Sequence, residues 1–180
     1  SSSSGDEIDF YAQKASGNMG LSSTKLNKNI NSYDLIKVSS VKIDDYFESL
    51  DEKISIIKID VQGGEMAVLE SAILTVCKYR PVIIFEYEEE YFQTDADKKL
   101  ARENIVKYFN SLNYKLFSIN PDLSFYPELS LDSYYHGDIL AVPSVWNMDG
   151  NEVNNDFKVA IILPCLAFGG AERVALTLAK

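Results

Sequence analysis

Ile54-Ser55-Ile56-Ile57-Lys58-Ile59-Asp60-Val61, followed at once by Gln62-Gly63-Gly64-Glu65, is the stretch on which the fold turns. Its nearly continuous β-branched residues predict a strand over residues 54–61, buried on both faces as in a parallel sheet. The glycine pair punctuates it. Apolar positions then recur at Met66, Leu69, Ile73 and Val76, which is helical spacing. Pro81 stops that helix, and Val82-Ile83-Ile84-Phe85 is a second buried strand ending on Glu86. Strand, helix and strand in this order predict a right-handed crossover between neighbouring parallel strands.

Working outward, Thr94 with Asp97 three residues on resembles a capping box. Ala101, Ile105, Tyr108, Phe109 and Leu112 make the apolar face of the helix that follows, and Asn113 suits its left-handed stop. Residues 115–119 and 138–142 are two further strands with no helix between them, which predicts an antiparallel edge hairpin. Upstream, residues 8–12 are a short strand, 13–34 a polar surface excursion and 38–43 a second strand. Asp44-Asp45-Tyr46-Phe47 opens a short helix with its acids at the positive end. The class is α/β, with a mostly parallel sheet and an antiparallel edge hairpin.

After Pro143 the chain turns polar. Residues 146–157 read as a linker between a first domain over 1–145 and a fragment of a second over 158–180. In that fragment a strand starts at Lys158, Gly169-Gly170 make a turn, and a helix runs from Ala171 onward.

A net charge of −10 and a pI near 4.6 disfavour phosphate backbones, so nucleic acid is not an expected partner. Cys77 and Cys165 have no CxxC spacing and give neither a metal knuckle nor a disulfide framework, in keeping with a reducing cytoplasm. Cys77 is expected in the core. The longest apolar run, near residues 159–168, is broken by Pro164 and is too short to span a bilayer. The polar, acidic residues 1–9 do not read as a signal peptide.

In an open parallel sheet, ligands bind outside the carboxyl ends of the strands. Asp60 and Glu86 fall there, on consecutive strands, and could share one crevice. Each could orient a hydroxyl, accept its proton or hold a metal, or could simply cap the turn that follows. Gly63 and Gly64 could let backbone amides approach an anion, or serve only as a tight turn. Glu88-Glu89-Glu90 is a charge run, either a solvated face or part of a cation site with Asp60. His136, the single histidine of the chain, precedes a strand and could act as an acid or base over the same crevice.

Residues 57–72, from Ile57-Lys58-Ile59-Asp60-Val61 through Val68-Leu69-Glu70-Ser71-Ala72, resemble the signature of FkbM-type methyltransferases. That signature typically reads Ile-Lys-Ile-Asp-Val-Glu-Gly-Ala-Glu, and this chain departs from it at Gln62, Gly64 and Ser71. Arg80-Pro81-Val82-Ile83-Ile84-Phe85-Glu86 matches the family's next strand. Residues around Leu21 and Val41-Lys42-Ile43-Asp44-Asp45-Tyr46 match the segment before it, so the likeness runs over residues 5–143. It implies a Rossmann-like fold and methyl transfer from S-adenosylmethionine to an oxygen, often on a sugar or polyketide. Asp60, Gly63 and Gly64 would then face the cofactor, and Asp60, Glu86 and His136 the reaction. The family's Gly-rich cofactor loop lies upstream of every segment matched here, so the chain is expected to be the C-terminal half of that domain and to bind cofactor weakly on its own.

Residues 158–180 resemble something else, the opening of GT-B-fold retaining glycosyltransferases, with Gly169, Gly170 and Glu172 in its loop. Together the two likenesses imply a bifunctional cytoplasmic enzyme of surface-glycan or exopolysaccharide synthesis, acting on a small-molecule or glycan acceptor. Two rivals stand beside this expectation. One is a non-catalytic Rossmann-like module that docks the adjoining glycosyltransferase. The other is a divalent-metal enzyme built on Asp60 and Glu86.

Overall fold

The computed structural model describes residues 7–13, 33–48, 53–61, 63–89, 92–119, 125–130, 136–145, 159–162 and 177–179. Two strands, β1 (Glu7–Gln13) and β2 (Tyr33–Ser39), form a separate antiparallel pair in the register Glu7↔Ser39 to Gln13↔Tyr33. Then come α1 (Ile43–Glu48), β3 (Ile56–Ile59), α2 (Glu65–Ser71), α3 (Ile73–Tyr79), β4 (Val82–Glu88), α4 (Asp95–Ser111) and β5 (Tyr114–Ile119). β6 (Phe125–Glu128), β7 (His136–Pro143), β8 (Val159–Ile162) and β9 (Thr177–Ala179) complete the order.

β3 to β9 make one mixed seven-stranded sheet in the order β6-β5-β7-β4-β3-β8-β9. β3 and β4 are parallel neighbours, Ile56 opposite Val82 through Ile59 opposite Phe85, as the central stretch predicts. β5 and β7 pair antiparallel, also as predicted. β7 lies one place further in than a bare edge hairpin: it separates β5 from β4 and runs antiparallel to both. The architecture is compatible with a partial Rossmann-like methyltransferase sheet.

The core occupies one face of this sheet. Ile57 and Ile59 of β3, Ile83, Phe85 and Tyr87 of β4, and Ile139 and Ala141 of β7 are buried there. Leu69 of α2, Val76 of α3 and Ile105 and Phe109 of α4 pack against them in one cluster. The Phe85 and Phe109 rings stack at 5.5 Å between centroids with 12° between their planes. The alternate residues of β3 and β4 are only half-buried. The expectation of two fully buried faces is therefore corrected: the described helices contribute to the core on one face, and the period-2 alternation of a strand turns every second residue away from it.

Other departures have local causes. One helix expected from about Gly64 to Lys78 is two, broken at Ala72 (φ −109°, ψ 10°). The Asp44 carboxylate accepts from the amides of Leu74 and Thr75 at 2.9 and 2.8 Å, which caps a fresh start for α3. α3 buries Thr75 and Val76, so Cys77, the next step around the helix, is exposed and not in the core. β2 lies at Tyr33–Ser39 and not at 38–43, because Ile43 and Phe47, one helical turn apart, are both buried in α1. The end of α3 is set by Arg80, which is left-handed (φ 53°), as well as by Pro81.

α4 begins as the sequence predicts. The Thr94 hydroxyl accepts from the Asp97 amide at 3.1 Å, and Asn113 beyond its end is left-handed (φ 56°). Arg80 donates to the Leu112 and Asn113 carbonyls and stands 4.5 Å over the Tyr114 ring, tying the ends of α3 and α4 together. At the far side of the sheet, β8 pairs parallel with β3 and β9 pairs antiparallel with β8. Residues 177–179, read as helix from the sequence, are extended: they pair in ladder with the open edge of β8, which a helix could not satisfy. The linker over 146–157 and the glycine turn at Gly169 and Gly170 lie outside the described residues.

Candidate active site at the carboxyl ends of β3 and β4

Asp60 follows Ile59 and Glu86 follows Phe85, and Ile59 and Phe85 stand opposite each other in the parallel ladder. One step further along, both acids emerge on the half-buried face at the carboxyl ends of adjacent strands, where such sheets bind ligands. Their side chains share a hydrogen bond. Burial raises the Glu86 carboxyl above its ordinary value, and the charge and hydrogen bond of Asp60 raise it further, with Glu88 and Asp138 adding to the effect. A second carboxyl in contact disfavours the charged form of Glu86, which is why the shift is upward.

The row continues into β7. Asp138 lies opposite Glu86 and His136 opposite Glu88 in the β4–β7 ladder, so topology brings the backbone positions of Asp60, Glu86 and His136 to one end of three consecutive strands. Lys58, two residues before Asp60, reaches across to Asp138 in an ion pair. Sequence reasoning passed over Lys58 and Asp138. Their partnership joins residues 80 apart and depends on β7 entering beside β4.

The turn between β3 and α2 explains its own glycine. Gly63 is buried and has φ 94°, a conformation that a side chain resists. Its amide donates to Glu65 Oε1 at 2.7 Å, and Glu65 is 6% exposed. A carboxylate of the chain itself thus takes the place that an anion would occupy on that amide. A cofactor carboxylate reaching Gly63 would have to displace Glu65, so the turn as it stands does not fit as a ready cradle for the methionine end of a methyl donor. Gly64 precedes α2 with φ −99°.

Glu89 departs from the solvated-face reading of the acidic run. Its side chain is largely buried and stands 3.5 Å from Arg102 of α4. Among the described residues no group of three or more His, Cys, Asp or Glu is placed to hold a metal ion. No helix among them is long and apolar enough to cross a membrane. Gly169, Gly170 and Glu172 lie outside the described residues.

The family model described as the Methyltransferase FkbM domain matches residues 2–116. The span holds Asp60, Gly63, Gly64 and Glu86 and stops within β5, before His136 and Asp138. No curated protein and no solved structure matches the chain. The match covers well over half of the sequence and carries a methyltransferase assignment at the level of the family: the chain belongs to the FkbM methyltransferases.

Proposed function

We propose that the chain is part of an S-adenosylmethionine-dependent O-methyltransferase in which Asp60 and Glu86 act together as the acid–base pair. The observation that carries this reading is their hydrogen-bonded contact at the carboxyl ends of two parallel strands, with Glu86 held above the usual carboxylate range. S-adenosylmethionine, when bound, supplies an electrophilic methyl group on a sulfonium sulfur. The chain's own part is to hold the acceptor hydroxyl and take its proton. Glu86, with its carboxyl raised, is the acid of the two that keeps a proton more readily, and Asp60 offers an oxygen to the acceptor O–H. The acceptor's proton would pass to Asp60. The acceptor class is a sugar, glycan or polyketide hydroxyl, and the setting is cytoplasmic. His136 enters as a further acid or base on the strength of its register opposite Glu88.

The same proposal makes residues 158–180 the opening of a glycosyltransferase domain in a longer bifunctional protein of glycan synthesis. Its support is the Gly169-Gly170-Ala171-Glu172 pattern. β8 beside β3 would then be a guest on an open strand edge.

The test is Asp60→Asn in the complete protein, with release of S-adenosylhomocysteine measured in the presence of glycoside acceptors. Methyl transfer should fall ~10²-fold or more, with the melting temperature little changed. A fully active variant would reduce Asp60 to a capping residue.

A second reading, a non-catalytic docking module, is favoured by Glu65 on the Gly63 amide. Calorimetry separates the two. A complete protein that binds no S-adenosylmethionine supports the docking module, whereas binding in the micromolar range, ~8 kcal/mol, supports the enzyme.

A further inference from the structure

β4 runs between β3 and β7, and Lys58 and Asp138 are offset by two residues along it, so their backbones stand about 12 Å apart. The Lys58 ammonium nevertheless donates to Asp138 Oδ1. That bond must therefore pass over β4. Lys58 lies opposite Ile84, and Asp138 lies opposite Glu86. The side chain thus crosses diagonally between Ile84 and Glu86 and ends on the carboxylate that faces Glu86 from β7.

The acids that act on Glu86 come from each strand: Asp60 of β3, Glu88 of β4 itself and Asp138 of β7. Lys58 of β3 joins them through Asp138. Four of these five groups, Glu86 included, are carboxyls. Lys58 is the cation bound into the row, with its side chain 27% exposed. An ion pair as open as this one adds little to stability. Its placement matters for charge, because a row of like charges takes up protons unless a counter-charge stands within it.

We propose that Lys58 is a positioning residue for the Asp60–Glu86 pair: bridged over β4 to Asp138, it supplies a counter-charge to the row of acids in which the pair stands. The proposal rests on the acid–base reading above. It concerns how the pair keeps an oxygen free for an acceptor proton.

The test is a carbon-13 carboxyl NMR titration of the 180-residue chain, following the Glu86 and Asp60 resonances in the wild type, Lys58→Met, Lys58→Arg and Asp138→Asn. Lys58→Met keeps the stem and removes the charge, so the Glu86 midpoint should move to higher pH. Lys58→Arg should bring it back to the wild-type position. Asp138→Asn removes a like charge opposite Glu86 and releases the ammonium, so the midpoint should move to lower pH. Opposite shifts in Lys58→Met and Asp138→Asn, at unchanged melting temperature, support the proposal. An unmoved midpoint in either variant, or shifts of the same sign, overturns it. Should Lys58→Met fail to fold, Lys58→Gln carries the same test, with the Glu86 midpoint again expected at higher pH. The titration reads protons and not methyl transfer. Failure of the acid–base reading would therefore show as unimpaired transfer by Asp60→Asn while these midpoints still moved.

Discussion

The two faces of β3 and β4 are built from alternate residues of the same two strands and differ in nearly everything. Ile57, Ile59, Ile83, Phe85 and Tyr87 look into the helical layer and are buried. Lys58, Ile84, Glu86 and Glu88 look the other way and are half-buried, with Asp60 beyond them on the same side. A strand changes face at every residue, so the chain needs no separate element to pass from packing to chemistry. One face supplies a rigid base, and the other supplies groups whose spacing that base fixes. The consequence is a division of labour that substitution can separate.

The largest effect should come from the buried face. Phe85→Ala removes a ring stacked on Phe109 and leaves a cavity, costing ~3–5 kcal/mol. Ile84→Ala, one residue away on the other face, should cost less, because Ile84 is only partly buried. Urea unfolding of both variants measures the contrast. Equal losses would mean that the second face is packed as tightly as the first.

The helical layer can be loosened without touching the sheet. Thr94→Ala removes the acceptor that Thr94 offers to the Asp97 amide at the start of α4, costing ~1 kcal/mol. Thr94→Ser should recover most of that. Hydrogen exchange in the first turn of α4 should rise in the alanine variant, while exchange in β4 stays as it was. Loss of protection in both would show that the layer and the sheet open as one unit.

The smallest effect belongs to the polar face and depends on pH. Burial and Asp60 raise the Glu86 carboxyl above 4.5, so the folded chain holds that proton more tightly than the unfolded chain does. Such a group favours the folded state below 4.5, and its contribution is lost as pH rises through the raised value. Glu86→Gln removes this dependence. Near neutral pH the variant should therefore melt slightly above the wild type, and the margin should vanish on acidification below 4.5. A margin that grew on acidification would have the wrong sign for a raised carboxyl.

Much of this was legible in sequence where local patterns govern. β3 and β4 follow from their β-branched runs, α4 from Thr94 and its apolar face, and the left-handed end from Asn113. The site residues Asp60 and Glu86 were legible because acids at the ends of apolar strands stand out. What escaped depends on partners distant along the chain. The break at Ala72 needs Asp44 of α1 to cap the new helix, and nothing near Ala72 announces it. Glu65 turning back onto Gly63 leaves no periodic trace. Lys58 looked like one polar residue in an apolar run, and only the seating of β7 beside β4 gives it a partner.

That seating of β7 also constrains the order in which the sheet can assemble. β4 is a central strand, yet the neighbour on one of its sides is made after α4, β5 and β6. During synthesis its ladder groups on that side stay open until His136–Pro143 emerges. β5 cannot close the gap by pairing with β4, because its place lies one strand further out. Pairings between strands so far apart in sequence form slowly, and an open apolar edge is prone to capture by other chains. A nascent chain stalled before residue 136 would thus carry α2, α3 and α4 over an unfinished sheet, and it is this species that chaperones would have to shield.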